Sequence, residues 1–335
     1  MVSQFISSAL SDKELERYVE EIRSLKTMIT QVIRGKDQQV ELALMGALTG
    51  GHLLIEDVPG VGKTTLARTL AIALGGEFQR VQCTADLLPS DLTGVNIYHP
   101  GEGQFNFQPG PLFSHLLLAD ELNRATPKAQ SSLLEAMEER QVTIDRITYP
   151  LPDPFWVIAT QNPQSFAGTF LLPESQLDRF ALSLTLGYLQ AEEEKNVLLS
   201  ASMFDEGIER GWRGRDLLSS EDLSARKELW RELRQATHRV VIDPDLAAYA
   251  VDVANATRND TELRLGVSTR GALSWLRLAQ AKALIHGRSF VSPDDLRSIA
   301  NAALAHRIWP QGTRATREER RHHLEAIMTR IPLPR

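Results

Sequence analysis

The stretch 56-EDVPGVGKT-64 decides how the rest of the chain is read. Its end, Gly62-Lys63-Thr64, matches the close of the pattern G-x-x-x-x-G-K-[ST], in which loop amides and a lysine receive phosphate oxygens. Its first position departs from that pattern, because Asp57 stands where glycine is usual. The flanks support the loop reading. The apolar run "HLLIE" (52–56) reads as a buried strand, and a helical pattern follows from about Thr64 to Leu74. In that setting the backbone N–H groups of Gly60 to Thr64 converge on phosphate oxygens at the positive end of a helix. Lys63 reaches the β- and γ-phosphates, and the Thr64 hydroxyl is placed for Mg²⁺. The competing reading, a chance G-x-G-K-T in a surface turn, is disfavoured by the strand–loop–helix order. Asp57 is expected to accept hydrogen bonds from nearby backbone or basic groups and so brace the loop.

Outward from the loop, short apolar runs alternate with helical patterns. "EFQRVQ" (77–82), "HLLLAD" (115–120), "FWVIAT" (155–160) and "ALSLTL" (181–186) read as four more strands. "PKAQSSLLEAMEER" reads as a helix with proline in its first turn. This alternation implies a five-stranded parallel α/β sheet buried on both faces. "LLLADE" ends an apolar strand with two carboxylates at the edge where open α/β sheets bind ligands. Asp120 there suits a metal ion held through water, and Glu121 suits polarising an attacking water. Asn162, in "IATQNP", ends the next strand at the same edge, where an amide can hold that water or touch the γ-phosphate; Asn before Pro also makes an ordinary turn. Arg179, in "LPESQLDRF", is flanked by Leu177 and Phe180 and suits presentation to a neighbouring subunit's phosphates; the plainer reading pairs it with Asp178 or Glu174.

After about Gly187 the periodicity is purely helical, and the arginine-rich stretch 307–335 reads as a solvated helix face. The organisation expected is a helical segment over 1–34, a nucleotide-binding core over 35–187 and a helical lid over 188–335. The 335 residues are 42% hydrophobic, enough for a sizeable core, and the net charge of -6 lacks the global positive field of non-specific nucleic-acid binders. A single cysteine, Cys83, permits no internal disulfide. With no secretory start and no membrane-length apolar run, the reading is cytoplasmic.

With these elements in order the chain resembles an AAA+ ATPase, and more narrowly the MoxR family. The resemblance is carried by "EDVPGVGKTTLA", "RVQCTADLLPSDLTG", "GPLFSHLLLADELNRATPKAQSSLLEAMEERQVT", "IATQNP", "LPESQLDRF", "STRGALSWLRLAQAKAL" and "VSPDDLRSIANAALAHRI". It implies a P-loop AAA+ core followed by an all-helical lid, with ATP and Mg²⁺ as ligands. Pro59, Gly60, Val61, Gly62, Lys63, Thr64 and Thr65 then form the Walker A loop; Asp120 and Glu121 form Walker B. Asn162 falls at sensor 1, Arg179 at an arginine finger acting in trans, and Arg270 at sensor 2, contacting the γ-phosphate in cis. Ile33 and Gly35, in "VIRGKD", fall beside adenine.

Two further segments resemble elements shared by MoxR proteins, magnesium-chelatase motors and replicative motors. Residues 91–113 look like a helix-2 insert, and 142–151 like the hairpin before sensor 1. Phe105 and Phe107 on the insert read equally as a client grip or as pins holding it to its own domain. The resemblance implies a homo-oligomeric ring, a hexamer in the family's terms, that remodels or matures a protein client, often one with a von Willebrand A domain. A chelatase-type motor subunit is the alternative. A DNA-translocating motor is disfavoured, because the hairpin offers Arg146 alone between Asp145 and Ile147.

Overall fold

A computed structural model describes residues 9–101, 103–162, 168–199, 218–312 and 315–334. Five strands, β1 (Leu53–Glu56), β2 (Phe78–Gln82), β5 (Leu116–Asp120), β8 (Trp156–Gln161) and β9 (Leu182–Leu184), form one sheet in the order β2-β5-β8-β1-β9, all parallel. Side chains alternate between two buried clusters. Leu53, Ile55, Leu116, Leu118, Trp156 and Ile158 face one, whereas Leu54, Leu117, Ala119, Val157 and Ala159 face the other. Because the strands run the same way, Glu56, Gln82, Asp120 and Gln161 all end at one edge.

The helices begin and end where local chemistry allows. α1 (Asp12–Val32) starts at a capping box of Ser11 with Glu14 and buries Tyr18, Ile22, Leu25 and Ile29. α2 (Asp37–Thr49) stops at Gly50, which takes φ 65°. α3 (Lys63–Ala73) follows the loop. α4 (Pro89–Thr93) leads into the insert, where β3 (Gly94–His99) and β4 (Gln104–Pro109) form an antiparallel hairpin. α5 (Pro127–Glu139) is capped by Thr126. A second hairpin follows, β6 (Gln141–Ile144) with β7 (Ile147–Pro150), turned by Asp145 and Arg146 at φ 49° and 71°. The insert aromatics divide. Phe107 stacks on Tyr149 at 4.3 Å, pinning the two hairpins together, and meets Phe113 edge-on at 5.3 Å, while Phe105 stays 68% exposed against Tyr98.

After the short α6 (Glu174–Leu177) and β9, the chain is mainly helical: α7 (Ala191–Leu199), α8 (Ser220–His238), α9 (Pro244–Asn259), α10 (Thr269–Ile285), α11 (Pro293–Leu304) and α12 (Arg317–Thr329). A two-stranded ribbon, β10 (Leu263–Leu265) with β11 (Trp309–Pro310), joins them without any periodicity that signalled it. The larger buried cluster runs without a break from α1, α2 and one sheet face into α8 through α12. At this junction Trp230 of α8 donates from Nε1 to Ala47 O at 2.9 Å and meets Trp156 edge-on at 6.5 Å. The expected solvated face over 307–335 is overturned at two arginines. Arg307 and Arg320 are 2% and 5% exposed. Among the described residues no helix is long and apolar enough to cross a membrane.

Candidate nucleotide site

The loop leaves β1 at Glu56 and Asp57, both buried. Asp57 Oδ1 accepts from the Val58 N–H at 2.9 Å, and Oδ2 accepts from the Gly187 N–H at 2.7 Å. The carboxylate therefore faces into the protein and ties the loop's first residue to the segment after β9. Gly60 and Gly62 take φ 84° and 90°, a region closed to most side chains. Both glycines and Pro59 are exposed, whereas Val61 packs partly against the core. Lys63 opens α3, and its Nζ donates to Asp57 O at 2.9 Å and Val58 O at 3.2 Å, lying across the loop. Thr64 and Thr65 occupy the first turn, half-buried, and Thr65 O accepts from Thr69 Oγ1.

The two acids sit one strand away from β1's neighbour, at the end of β5. Asp120 Oδ1 accepts from Thr160 Oγ1 at 2.6 Å, and Oδ2 accepts from Arg80 Nη2 at 2.7 Å. Glu121 takes φ 56°, so the backbone turns sharply and frees its side chain from the strand direction. Its N–H donates to Thr160 Oγ1, and its Oε2 accepts from Gln82 Nε2 at 3.2 Å and Arg124 Nη1 at 3.1 Å. Asn162 directly follows β8 and accepts at its backbone O from Asn123 Nδ2 at 3.4 Å. Sequence reasoning missed Arg80 and Gln82. Their signal was the strand period: residues two apart on β2 share a face, and the register sets Gln82 opposite Asp120.

The turn at Ile33 and Gly35 reaches the same neighbourhood through two links. Gly35 takes φ 65°, and a Cβ there would lie 3.1 Å from Glu193 Cγ on α7. Lys36 Nζ donates to Tyr188 O at 2.7 Å, one residue beyond the Gly187 that binds Asp57. Oxygen donors at Thr64 and Asp120 suit a hard cation such as Mg²⁺. The Arg80 guanidinium on Asp120 Oδ2 is the contact that must yield or share there. The three-residue cluster Asp260, Glu262 and His323 lies on the helical part and belongs to a different neighbourhood.

Arg179 and Arg270 stand together elsewhere. Arg179 precedes β9, held between buried Leu177 and Phe180, and its Nε lies 3.3 Å from Glu138 Oε2. Arg270, on the first turn of α10, donates to Glu138 Oε1. His52, just before β1, lines the same cleft. The cleft is therefore at the N-terminal edge of the sheet, across the length of β1 from the loop, about 13 Å at strand rise. Arg270, expected to contact the γ-phosphate in cis, here lies across the sheet from the loop. The expected local partners of Arg179 are also replaced: Asp178 accepts from Arg307 Nε at 2.9 Å and from Ser268 Oγ, and Glu174 from Arg264.

A loop, two acids and an amide at the C-terminal edge of a parallel sheet, followed by a helical part, define an ATPase of the AAA+ class. A family model for the ATPase family associated with various cellular activities (AAA) matches residues 52–182, and one for the AAA lid domain matches 255–329. The chain is 38% identical over 300 residues to chaperone MoxR1 of Mycobacterium tuberculosis, covering 86% of this chain and 76% of that one. It is 30% identical to protein MoxR of Paracoccus denitrificans, covering 96% and 99%. It is also 44% identical over 280 residues to YeaC of Bacillus subtilis, an uncharacterized protein, covering 84% of each. A solved structure from Cytophaga hutchinsonii superposes with TM-score 0.82 at 34% identity, covering 96% of this chain and 98% of that one. The chain belongs to the MoxR family of AAA+ ATPases, and hydrolyses ATP.

Proposed function

We propose that this ATPase works as a homo-oligomeric ring, in the cytoplasm, remodelling or maturing a protein client. The name of the relative chaperone MoxR1 supports a chaperone-like role. In this reading residues 35–187 are the nucleotide-binding core and 188–335 the lid. Pro59 to Thr65 receive the phosphates of ATP, with Lys63 turning from the Asp57 and Val58 carbonyls toward the β- and γ-oxygens, and Ile33 and Gly35 flank the base. Thr64 and Asp120 would hold Mg²⁺, which supplies charge neutralisation at the phosphates when bound. Glu121 takes a proton from the attacking water, and Asn162 orients that water. Gln82 and Arg124 hold Glu121 until then.

The observation that carries the ring reading is the separation of the two constellations. The loop, Asp120, Glu121 and Asn162 share one sheet edge, and Arg179 with Arg270 share the opposite one. Arg179 on the far edge would meet a neighbour's γ-phosphate in trans, and its pairing with Arg270 on Glu138 supports the same role for Arg270. A von Willebrand A domain partner remains the client class expected from the family. Glu121→Gln is the test of the chemistry: it should bind ATP like wild type and lose about a hundredfold or more in turnover. Undiminished hydrolysis would contradict the role given to Glu121.

A further inference from the structure

The first turn of α12 enters the same sheet edge as the loop. α12 begins at a capping box of Thr316 with Glu319, and it carries Arg317 and Arg320 three residues apart, on one face. Both guanidiniums converge on Glu56, the last residue of β1 and the one before Asp57. Arg317 Nη1 lies 3.8 Å from Glu56 Oε2, and Arg320 Nη2 lies 3.6 Å from Oε1. Arg317 also donates to Thr185 Oγ1 at 2.5 Å and Ser183 O at 2.9 Å. Glu56 itself accepts from Gln161 Nε2 at 2.7 Å and Ser183 Oγ at 2.9 Å, and its backbone O accepts from Thr185 Oγ1. Three strands and a lid helix thus meet at the carboxylate from which the loop springs.

Arg317 is hydrogen-bonded to the segment around β9, but Arg320 is not satisfied as a purely structural bridge would be. Both stand at ion-pair distance from Glu56 and beyond hydrogen-bond distance. The Arg320 side chain is 7% exposed and stacks over Trp309 at 4.9 Å. Its Nε finds no hydrogen-bond partner among the described residues, and neither does Trp309 Nε1. Removing the Arg320 cation from water is costly unless it is fully hydrogen-bonded, so this joint is poorly explained by stability alone. Arg270, the lid arginine expected to meet the nucleotide in cis, is across the sheet. Arg317 and Arg320 are the described lid arginines that touch the strand feeding the loop.

We propose that Arg317 and Arg320 are positioning residues of the nucleotide site: through Glu56 they couple the posture of α12 to nucleotide held on the loop. This rests on the reading of Pro59 to Thr65 as the phosphate loop. Nucleotide on Lys63 withdraws its Nζ from the Asp57 and Val58 carbonyls, the loop's root adjusts, and Glu56 passes the change to α12. Coupling of this kind is reciprocal, so loosening α12 weakens nucleotide binding by the same factor.

The experiment compares wild type, Arg317→Ala, Arg317→Lys and Glu56→Gln by hydrogen exchange over 317–329 with and without ADP, alongside mant-ADP titration and thermal melting. Wild-type α12 should exchange about tenfold more slowly with ADP. Arg317→Ala should erase that difference and weaken mant-ADP binding about tenfold, while its apo exchange outside α12 stays as in wild type. Arg317→Lys should recover part of both effects. Arg317 is only partly buried, so its loss should leave the chain folded; if Arg317→Ala melts early, Arg317→Lys and Glu56→Gln carry the same comparison. The proposal is overturned if α12 ignores ADP in wild type, or if it responds equally in Arg317→Ala and Glu56→Gln. Failure of wild type to bind mant-ADP would instead overturn the loop reading beneath it.

Discussion

At Asp57 a carboxylate lies beneath a loop that receives negative charge, and the geometry resolves the conflict by direction. Both oxygens point inward to the N–H groups of Val58 and Gly187, so the charge is met by backbone dipoles on the side away from the phosphates. Hydrogen bonds to a buried carboxylate contribute about 1.5–3 kcal/mol each. Asp57→Ala should therefore lower stability by about 2–4 kcal/mol in denaturant unfolding and weaken ATP binding. Tighter ATP binding by Asp57→Gly at unchanged stability would mean the carboxylate repels phosphate instead of bracing the loop. The residue types of the site were legible because glycine, lysine and paired acids have few other uses at a strand end. Arg80 and Gln82 were hidden, because a polar residue on an edge strand is as common facing water as facing a catalytic acid.

Among the elements, α5 and β8 meet over a histidine that no motif marks. His52 is buried; its Nδ1 accepts from the Val157 N–H at 2.9 Å, and its Nε2–H donates to Met137 O at 3.1 Å. This pattern requires the neutral ring, and burial lowers its pKa to about 4. An unfolded histidine titrates near 6.5. Stability from His52 is thus fully present above about pH 6.5 and is lost as pH falls toward 4, on the order of 3 kcal/mol. His306, buried against Phe180 O, is shifted the same way. Melting temperature should fall between pH 7 and pH 4, and His52→Gln should flatten part of that slope while melting lower at pH 7. An unchanged slope would show that His52 does not titrate on unfolding.

The insert and the second hairpin form an element pair that the sequence placed correctly, because alternation and turn residues survive in any context. How Phe105 and Phe107 divide was not readable, since both occupy similar positions on one strand, and the contacts of Phe107 with Tyr149 and Phe113 distinguish them. Phe107→Ala should free the insert, seen as faster proteolysis within 94–109. Phe105→Ala should leave that rate unchanged.

For the whole molecule, the sheet and its edge followed from hydrophobic period and strand polarity, which are local. The lid's docking did not, because its contacts join residues more than a hundred apart in the chain. That is why the pairing of Arg179 and Arg270 on Glu138, and the contacts of Arg317, went unnoticed. The proposed trans geometry gives a direct mixing test. Arg179→Ala alone should lose about a thousandfold in turnover, and adding Lys63→Ala subunits should restore part of it, because each variant retains the half that the other lacks. No recovery at any ratio would exclude shared sites. Glu138, which holds both arginines, should then be released on assembly.

Trp156 and Trp230 give this arrangement an optical signature. The chain has five tryptophans, and this pair makes the tryptophan–tryptophan contact among the described residues, nearly perpendicular at 76°. One indole belongs to the sheet and the other to α8. The strong far-ultraviolet transitions of two indoles this close couple, so the far-ultraviolet circular dichroism of the unlabelled protein should carry a contribution whose sign and size depend on their mutual orientation. A swing of the helical part against the sheet would therefore be visible in solution, in real time, without any dye.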